Sequence, residues 1–336
     1  MITATMPEQV ATSNTDVITR QQNITRQGPF ARVVRIVIAV GLTGLLLWQS
    51  DPRSVWQAGR GADLRFLALA CGLVLVDRVL MAYRWVTLLR PVNPAERPPL
   101  VAVMRIFFVS TFIGTFLPAS VGGDAVRAYG LAREGVAGVD AVASVLMDRL
   151  IGVVSILIVA VAGAVLARHT VDIRLLIPAL ALLTILSAAA LAVVFSPRAA
   201  SAAASLLSRL PRGRLTAQKL VGAVRRYADQ HNALFNVLVC SLAVQMLRVL
   251  QTYCLGLSLG LPASIGAYFA LVPIILLIAL MPITINGIGT TQAGFVWLFG
   301  RVGVSEAPAF ALSVLFLAIA IVGNLPGGVL YLTGKK

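Results

Sequence analysis

The sequence predicts an all-α, polytopic membrane helical bundle of about eight embedded segments, and two observations carry that expectation. Of 336 residues, 58% are hydrophobic and only 12% are charged, whereas a soluble domain carries roughly 25% charged residues. The charges are also clustered, leaving residues 106–123, 150–167, 175–197, 249–300 and 307–334 with none. A helix needs about 20 apolar residues to enter hydrocarbon, and each stretch approaches or exceeds that length. The stretch 249–300 is too long for one crossing, so it must turn inside the membrane or at its edge. In so apolar a chain, the net charge of +15 is assigned to orientation and to anionic lipid, not to nucleic acid.

Residues 1–31 are polar and lack an early apolar core, so they read as a cytoplasmic N-terminal tail and not as a cleavable signal peptide. Residues 32–333 then form a single transmembrane domain. Its segments are expected at 32–48, 64–89, 100–121, 142–167, 174–196, 233–259, 264–300 and 307–332. Cys71, Cys240 and Cys254 lie in apolar runs without metal spacing and read as small buried side chains. The excess of Arg over Lys is read as genomic codon bias.

Charge decides which segments cross. If all eight crossed with the N-terminus inside, the loop 197–231 would lie outside, although it carries Arg209, Arg212, Arg214, Lys219 and Arg225. That placement violates the positive-inside rule. If 100–121 and 264–300 are instead re-entrant hairpins, one side gathers residues 1–35, 84–105, 122–149, 197–231, Lys335 and Lys336. Those pieces hold nearly all of the net positive charge. The basic loop also carries Leu206, Leu207, Leu210, Leu215, Leu220, Val221 and Val224, the composition of amphipathic helices lying on an anionic leaflet.

Both proposed hairpins carry a Pro followed five residues later by Gly: LPASVGGDAVR from Leu117 and MPITINGIGTTQ from Met281. Pro118 and Pro282 remove a backbone donor and the glycines permit the turn that follows. Broken backbone at membrane depth is tolerated only against protein or a wet cavity. Each half, 32–168 and 174–333, then runs crossing, crossing, hairpin, crossing, the second inverted relative to the first. Interrupted segments at corresponding places in two halves point to a transporter's central site.

Gly122, Gly123, Asp124 and Arg127 form the sharpest constellation. The glycines free the backbone before a helix start that Asp124 is placed to cap. Arg127, three residues on, offers a fork of donors to a lipid phosphate; the plainer alternative is a cap with an i,i+3 ion pair. Asp148 and Arg149 either mark the interface, if the next helix begins at Leu150, or lie a few turns inside, if it begins near Val139. Ionisable groups within a membrane helix face partners or a cavity. Asp77 and Arg78 interrupt an apolar run, and their side chains diverge by about 100°, so pairing with other segments is expected. Arg248 should be buried, with Asp77 or Asp148 as counter-ion. Asn286, Gly287, Gly289, Thr290, Thr291 and Gln292 either offer polar groups to a headgroup or satisfy freed backbone.

These motifs resemble the flippase-like integral membrane family related to the lysylphosphatidylglycerol synthase transmembrane domain. The resemblance spans about residues 31–333 and rests on FLPASVGGDAVRAYGLAREG at 116–135, MDRLIG at 147–152, MPITINGIG at 281–289 and NLPGGVLYL at 324–332. It implies a stand-alone helical protein of the bacterial cytoplasmic membrane that moves a phospholipid or glycolipid between leaflets. Asp124, Arg127, Asp148 and Arg149 match family motif positions. Thr291 and Gln292 replace the Arg-Glu pair usual after GIG, and no aminoacyltransferase domain follows. No cofactor or metal, no enzymatic step and no nucleic acid partner is expected, and a homo-oligomer fits the reading. The alternatives are a membrane-embedded lipid-modifying enzyme, with Asp124 and Asp148 on a metal, and a non-transporting accessory subunit of a lipid or glycan pathway.

Overall fold

The computed structural model describes residues 53, 60–89, 97–116, 121–166, 177–208, 214–280 and 287–333. The expected first segment, 32–48, and Pro118, Pro282 and Asn286 lie outside the described residues. Every element among the described residues is a helix: α1 (Leu64–Thr87), α2 (Leu100–Phe116), α3 (Val121–Arg133), α4 (Gly138–Leu166), α5 (Ile177–Phe195), α6 (Pro197–Ser208), α7 (Arg214–Arg225), α8 (His231–Ser258), α9 (Ile265–Leu280), α10 (Thr290–Gly300) and α11 (Glu306–Thr333).

Length separates two kinds of apolar helix. α1, α4, α8 and α11 run 24 to 29 residues and are apolar enough to cross a membrane. α5 is also apolar, and it bends by 106° into α6 at Ser196, where Pro197 opens the new helix at the position that needs no amide donor. α2 and α9 have 17 and 16 residues; at 1.5 Å per residue they fall short of a hydrocarbon core about 30 Å thick.

Each short helix is the first limb of a hairpin. A methyl group on Gly123 of α3 would press on the Ser110 carbonyl oxygen at 3.1 Å, and one on Gly130 would meet Ile106 at 2.8 Å. Residue number therefore rises along α3 as it falls along α2. α10 returns along α9 in the same way, with Gly287 against Ala279 and Gly294 near Ile275 and Ile278. The first hairpin is thus longer than the expected 100–121. α2 continues unbroken to Phe116, so the return limb, α3, takes Asp124 and Arg127 back along α2 instead of leaving them in a loop.

The packing repeats when the two halves are exchanged. α1 lies against α8, α4 packs on α9, and α11 packs on α2. α3 meets α4 as α10 meets α11. A side chain at Gly163 of α4 would collide with the Phe269 carbonyl of α9, and one at Gly327 of α11 with the Phe108 carbonyl of α2. Residues 163 and 327 are 164 apart, as are 123 and 287, and 130 and 294. Small residues at these crossings let backbones approach closely, the usual means by which membrane helices associate.

The basic loop folds as α6 and α7. The apolar side of α7, with Leu220, Ala223 and Val224, joins Met147 and Ile151 of α4 and Val194 of α5. Beyond it, Arg226 pairs with Asp140, and the Tyr227 hydroxyl donates to the Leu88 carbonyl at 2.8 Å. Burial pushes the pKa of the Tyr227 phenol well above its usual value.

Adding one methyl group at either close crossing should force the helices apart. Gly163→Ala and Gly327→Ala are each expected to cost about 1–3 kcal/mol, the scale of overpacking a tight interior. Thermal unfolding in detergent checks this, with Gly72→Ala, which meets nothing within 4 Å, expected to cause no loss.

Candidate functional site

Asp148 is the eleventh residue of α4, which at 1.5 Å per residue puts it about 15 Å inside the helix. The helix begins at Gly138, so Asp148 lies well inside α4 and not at its start, and it is buried in the bundle. Its side chain is 4% exposed. Two arginines from other helices close on it. Arg84, in the last turn of α1, places Nε 2.8 Å from Oδ1 and Nη2 2.7 Å from the same oxygen. Arg127 of α3 donates from Nη1 to Oδ2 at 3.1 Å. Arg84 also donates from Nη1 to the Ser241 hydroxyl of α8 at 3.1 Å. One carboxylate thus ties four helices together.

The cluster carries one negative and two positive charges. Both guanidiniums are buried, with side-chain exposures of 5% for Arg84 and 7% for Arg127. Arg127 lies over the Trp85 ring at 5.0 Å and the Phe107 ring at 4.7 Å. Such cation–π contacts contribute about 2 kcal/mol when desolvated, which offsets only part of the several kcal/mol each buried ion loses in hydration. Arg127 Nε is left without a partner among the described residues.

A second pair borders the first. Arg149 grips Asp124 with a fork, Nε to Oδ2 at 2.7 Å and Nη2 to Oδ1 at 2.9 Å, and its side chain is 44% exposed. Asp124 stands in the first turn of α3 and is committed to Arg149. The i,i+3 ion pair with Arg127 is not what forms; Arg127 reaches Asp148 instead. The four positions singled out in the two motifs are therefore assembled in one place, but cross-paired.

Arg248 of α8 takes Asp77 as its counter-ion, Nε to Oδ1 at 3.3 Å. Contrary to the expectation from helix geometry, Arg78 also reaches its neighbour Asp77, Nη1 to Oδ2 at 3.0 Å. Its long side chain curls back across the 100° between them. Gly122 and Gly123 open α3, and Gly123 serves close packing. Gly287 adopts φ 72°, and a side chain there would strike Thr291 and Ala279. In the second hairpin, Gln292 accepts the Gly289 amide at 2.6 Å and Thr290 donates to the Gly287 carbonyl at 3.0 Å. These polar residues satisfy broken backbone, the plainer of the two expectations for them.

Arg84, Ser241 and Trp85 were not singled out from sequence. Arg84 stands at the end of an apolar run and reads as a boundary charge. A signal was present nonetheless: residues 84 and 248 are 164 apart, and so are 77 and 241, the same interval that relates the glycines. Arg84 of α1 reaches Ser241 of α8, and Arg248 of α8 reaches Asp77 of α1. The contact is made twice, once from each half.

A net-cationic arginine–aspartate network inside apolar helices defines an integral, multi-pass membrane protein. The chain belongs to the family of the lysylphosphatidylglycerol synthase TM region, which matches residues 32–327. It is similar to UPF0104 membrane protein PH1989 of Pyrococcus horikoshii, 27% identical over 326 residues that cover 90% of this chain and 96% of that protein. No solved structure matches the chain.

Removing the shared carboxylate should leave two guanidiniums buried without a counter-charge. Asp148→Asn is expected to cost about 3–5 kcal/mol, read as a lower unfolding temperature and faster proteolysis in detergent. Asp124→Asn, whose partner is half-exposed, should cost about 1 kcal/mol or less.

Proposed function

We propose that this protein carries a phosphate-bearing lipid between the leaflets of a bacterial cytoplasmic membrane, with its N-terminus on the cytoplasmic side. The observation that carries this reading is the surplus positive charge, among the described residues, at Arg84, Asp148 and Arg127. A buried cluster with one surplus positive charge is incomplete, and a phospholipid phosphodiester brings the single negative charge that would neutralise it. Arg127 Nε has no partner among the described residues, and guanidinium geometry suits phosphate oxygens. The acyl chains would stay in lipid while the headgroup enters between α1, α3 and α4.

Two features support the surroundings of such a path. Gly287 and Gly289 break the helix before α10 at positive φ, and such backbone placed at membrane depth requires a protein-lined or hydrated environment. The basic face of α6 and α7, with Arg198, Lys219 and Arg225, suits contact with anionic lipid on the cytoplasmic leaflet. The carrier reading is favoured over a metal-dependent lipid-modifying enzyme because Asp124 and Asp148 are already committed to arginines. The absence of catalysis, of cofactors and of a required partner remains part of the proposal.

Reconstitution with tail-labelled phospholipid, followed by leaflet-exchange measurement, tests the reading. Arg127→Gln leaves Asp148 paired with Arg84, so the fold should persist while exchange falls about tenfold or more, the scale of one lost charge-assisted hydrogen bond. Exchange unchanged in Arg127→Gln, or absent from the unmodified protein, would overturn it. Metal-dependent product formation without exchange would assign the protein to the enzyme class.

A further inference from the structure

α1 and α8 carry a second cluster of the same composition as the first, and it has no role in the network around Asp148. Asp77, 1% exposed, receives Arg78 from its own helix and Arg248 from α8. Two guanidiniums again share one carboxylate, so this cluster also holds a surplus positive charge. It lies near the middle of α1 and α8, where an unneutralised charge is expensive.

The donors of this cluster are poorly used. Arg248 Nη2 points at the Met81 sulfur at 3.1 Å, and Arg78 Nη1 approaches the same sulfur at 3.5 Å. A thioether is a weak acceptor. Arg78 Nε has no partner among the described residues. Two forks therefore converge on a spot occupied by the least suitable acceptor, beside a surplus charge. The Arg248 side chain is 22% exposed, against 5% and 7% for the arginines on Asp148, so it is the more open of the two clusters.

The two clusters have a fixed spatial relation. Arg84 meets Ser241 and Asp77 meets Arg248, so α1 and α8 run antiparallel with both clusters along their seam. Seven residues separate Asp77 from Arg84, and seven separate Ser241 from Arg248, which is about 10 Å along each helix. The Asp148 cluster lies at the C-terminal end of α1 and the Asp77 cluster near its middle.

We infer that Arg78 and Arg248 form a second binding site for a phosphodiester monoanion, one step deeper along the α1–α8 seam than the site at Arg84 and Arg127. This rests on the carrier reading above and deepens it: a headgroup passes between two like-charged stations instead of crossing the interior in one move. At the second station a phosphate oxygen takes the donors now turned to Met81, and the anion cancels the surplus charge. No bond is made or broken.

The test is lipid stoichiometry by native mass spectrometry of the purified full chain, together with leaflet exchange. The probes are short-chain phosphatidylglycerol, glycerophosphoglycerol and inorganic phosphate. The unmodified chain should bind two short-chain lipids. Arg248→Gln should bind one and exchange about tenfold more slowly, the scale of one lost charge-assisted hydrogen bond. Arg248→Lys should recover the second lipid, which a merely structural role would not require. Arg78→Gln should repeat the loss, so a folding failure in one variant does not decide the outcome. Binding of the tailed probe alone assigns the site to a lipid, and equal binding by glycerophosphoglycerol or inorganic phosphate assigns it to a dissolved anion. Two lipids and full exchange in both Arg248→Gln and Arg78→Gln would overturn the second station while leaving the Arg127 result to decide the carrier reading.

Discussion

Asp148 is the point on which the interior depends. It is a carboxylate three turns inside α4, held by guanidiniums from α1 and α3, one of which is also bonded to α8. In a low-dielectric interior neither the acid nor the bases can be left alone. Their mutual requirement fixes how four helices meet. The packing beside it includes Trp85 and Phe107 against Arg127, and the ionic cluster adds a specific register to these apolar contacts. Its imbalance of one charge makes a phosphate the natural completion, and the proposed function follows from that imbalance.

Around this cluster the fold uses each contact twice. The α4–α9 and α11–α2 crossings both bring a glycine onto the carbonyl of a phenylalanine, and the α1–α8 seam carries the same arginine contact in both directions. Apart from Arg84 and Arg248, the charges of the two clusters are not duplicated. Residue 127 is Arg where residue 291 is Thr, and residue 148 is Asp where residue 312 is Leu. The scaffold is therefore repeated while the ionic chemistry is concentrated on α3 and α4 and along the α1–α8 seam. A carrier that holds its substrate on one side more strongly than on the other would have this composition.

Much of this was legible in the sequence. Clustered charges marked the apolar helices, and the two Pro-to-Gly motifs stand in sequence at the junctions of α2 with α3 and of α9 with α10. The basic loop announced itself as amphipathic helices. The pairing of charges was not legible, because sequence spacing describes one helix at a time. Asp124 and Arg127 share a helical face, yet each found a partner on α4. Arg84 was hidden because an arginine at the end of an apolar run is normally an interface marker, and only its contacts with α4 and α8 distinguish it. The return limb of the first hairpin was underestimated for a similar reason: α3 is polar by composition and is embedded only by its packing on α2 and α4.

The most direct test of the central claim is a photo-cross-link from a phospholipid that carries its reactive group beside the phosphate. The account predicts adducts on α1 and α3, within residues 81–88 and 124–131, and their loss on competition with unlabelled phospholipid. Adducts confined to outward-facing residues such as Leu182, Ile185 and Leu186 of α5, which are 57% to 66% exposed, would show that lipid touches only the outside of the bundle and would contradict it.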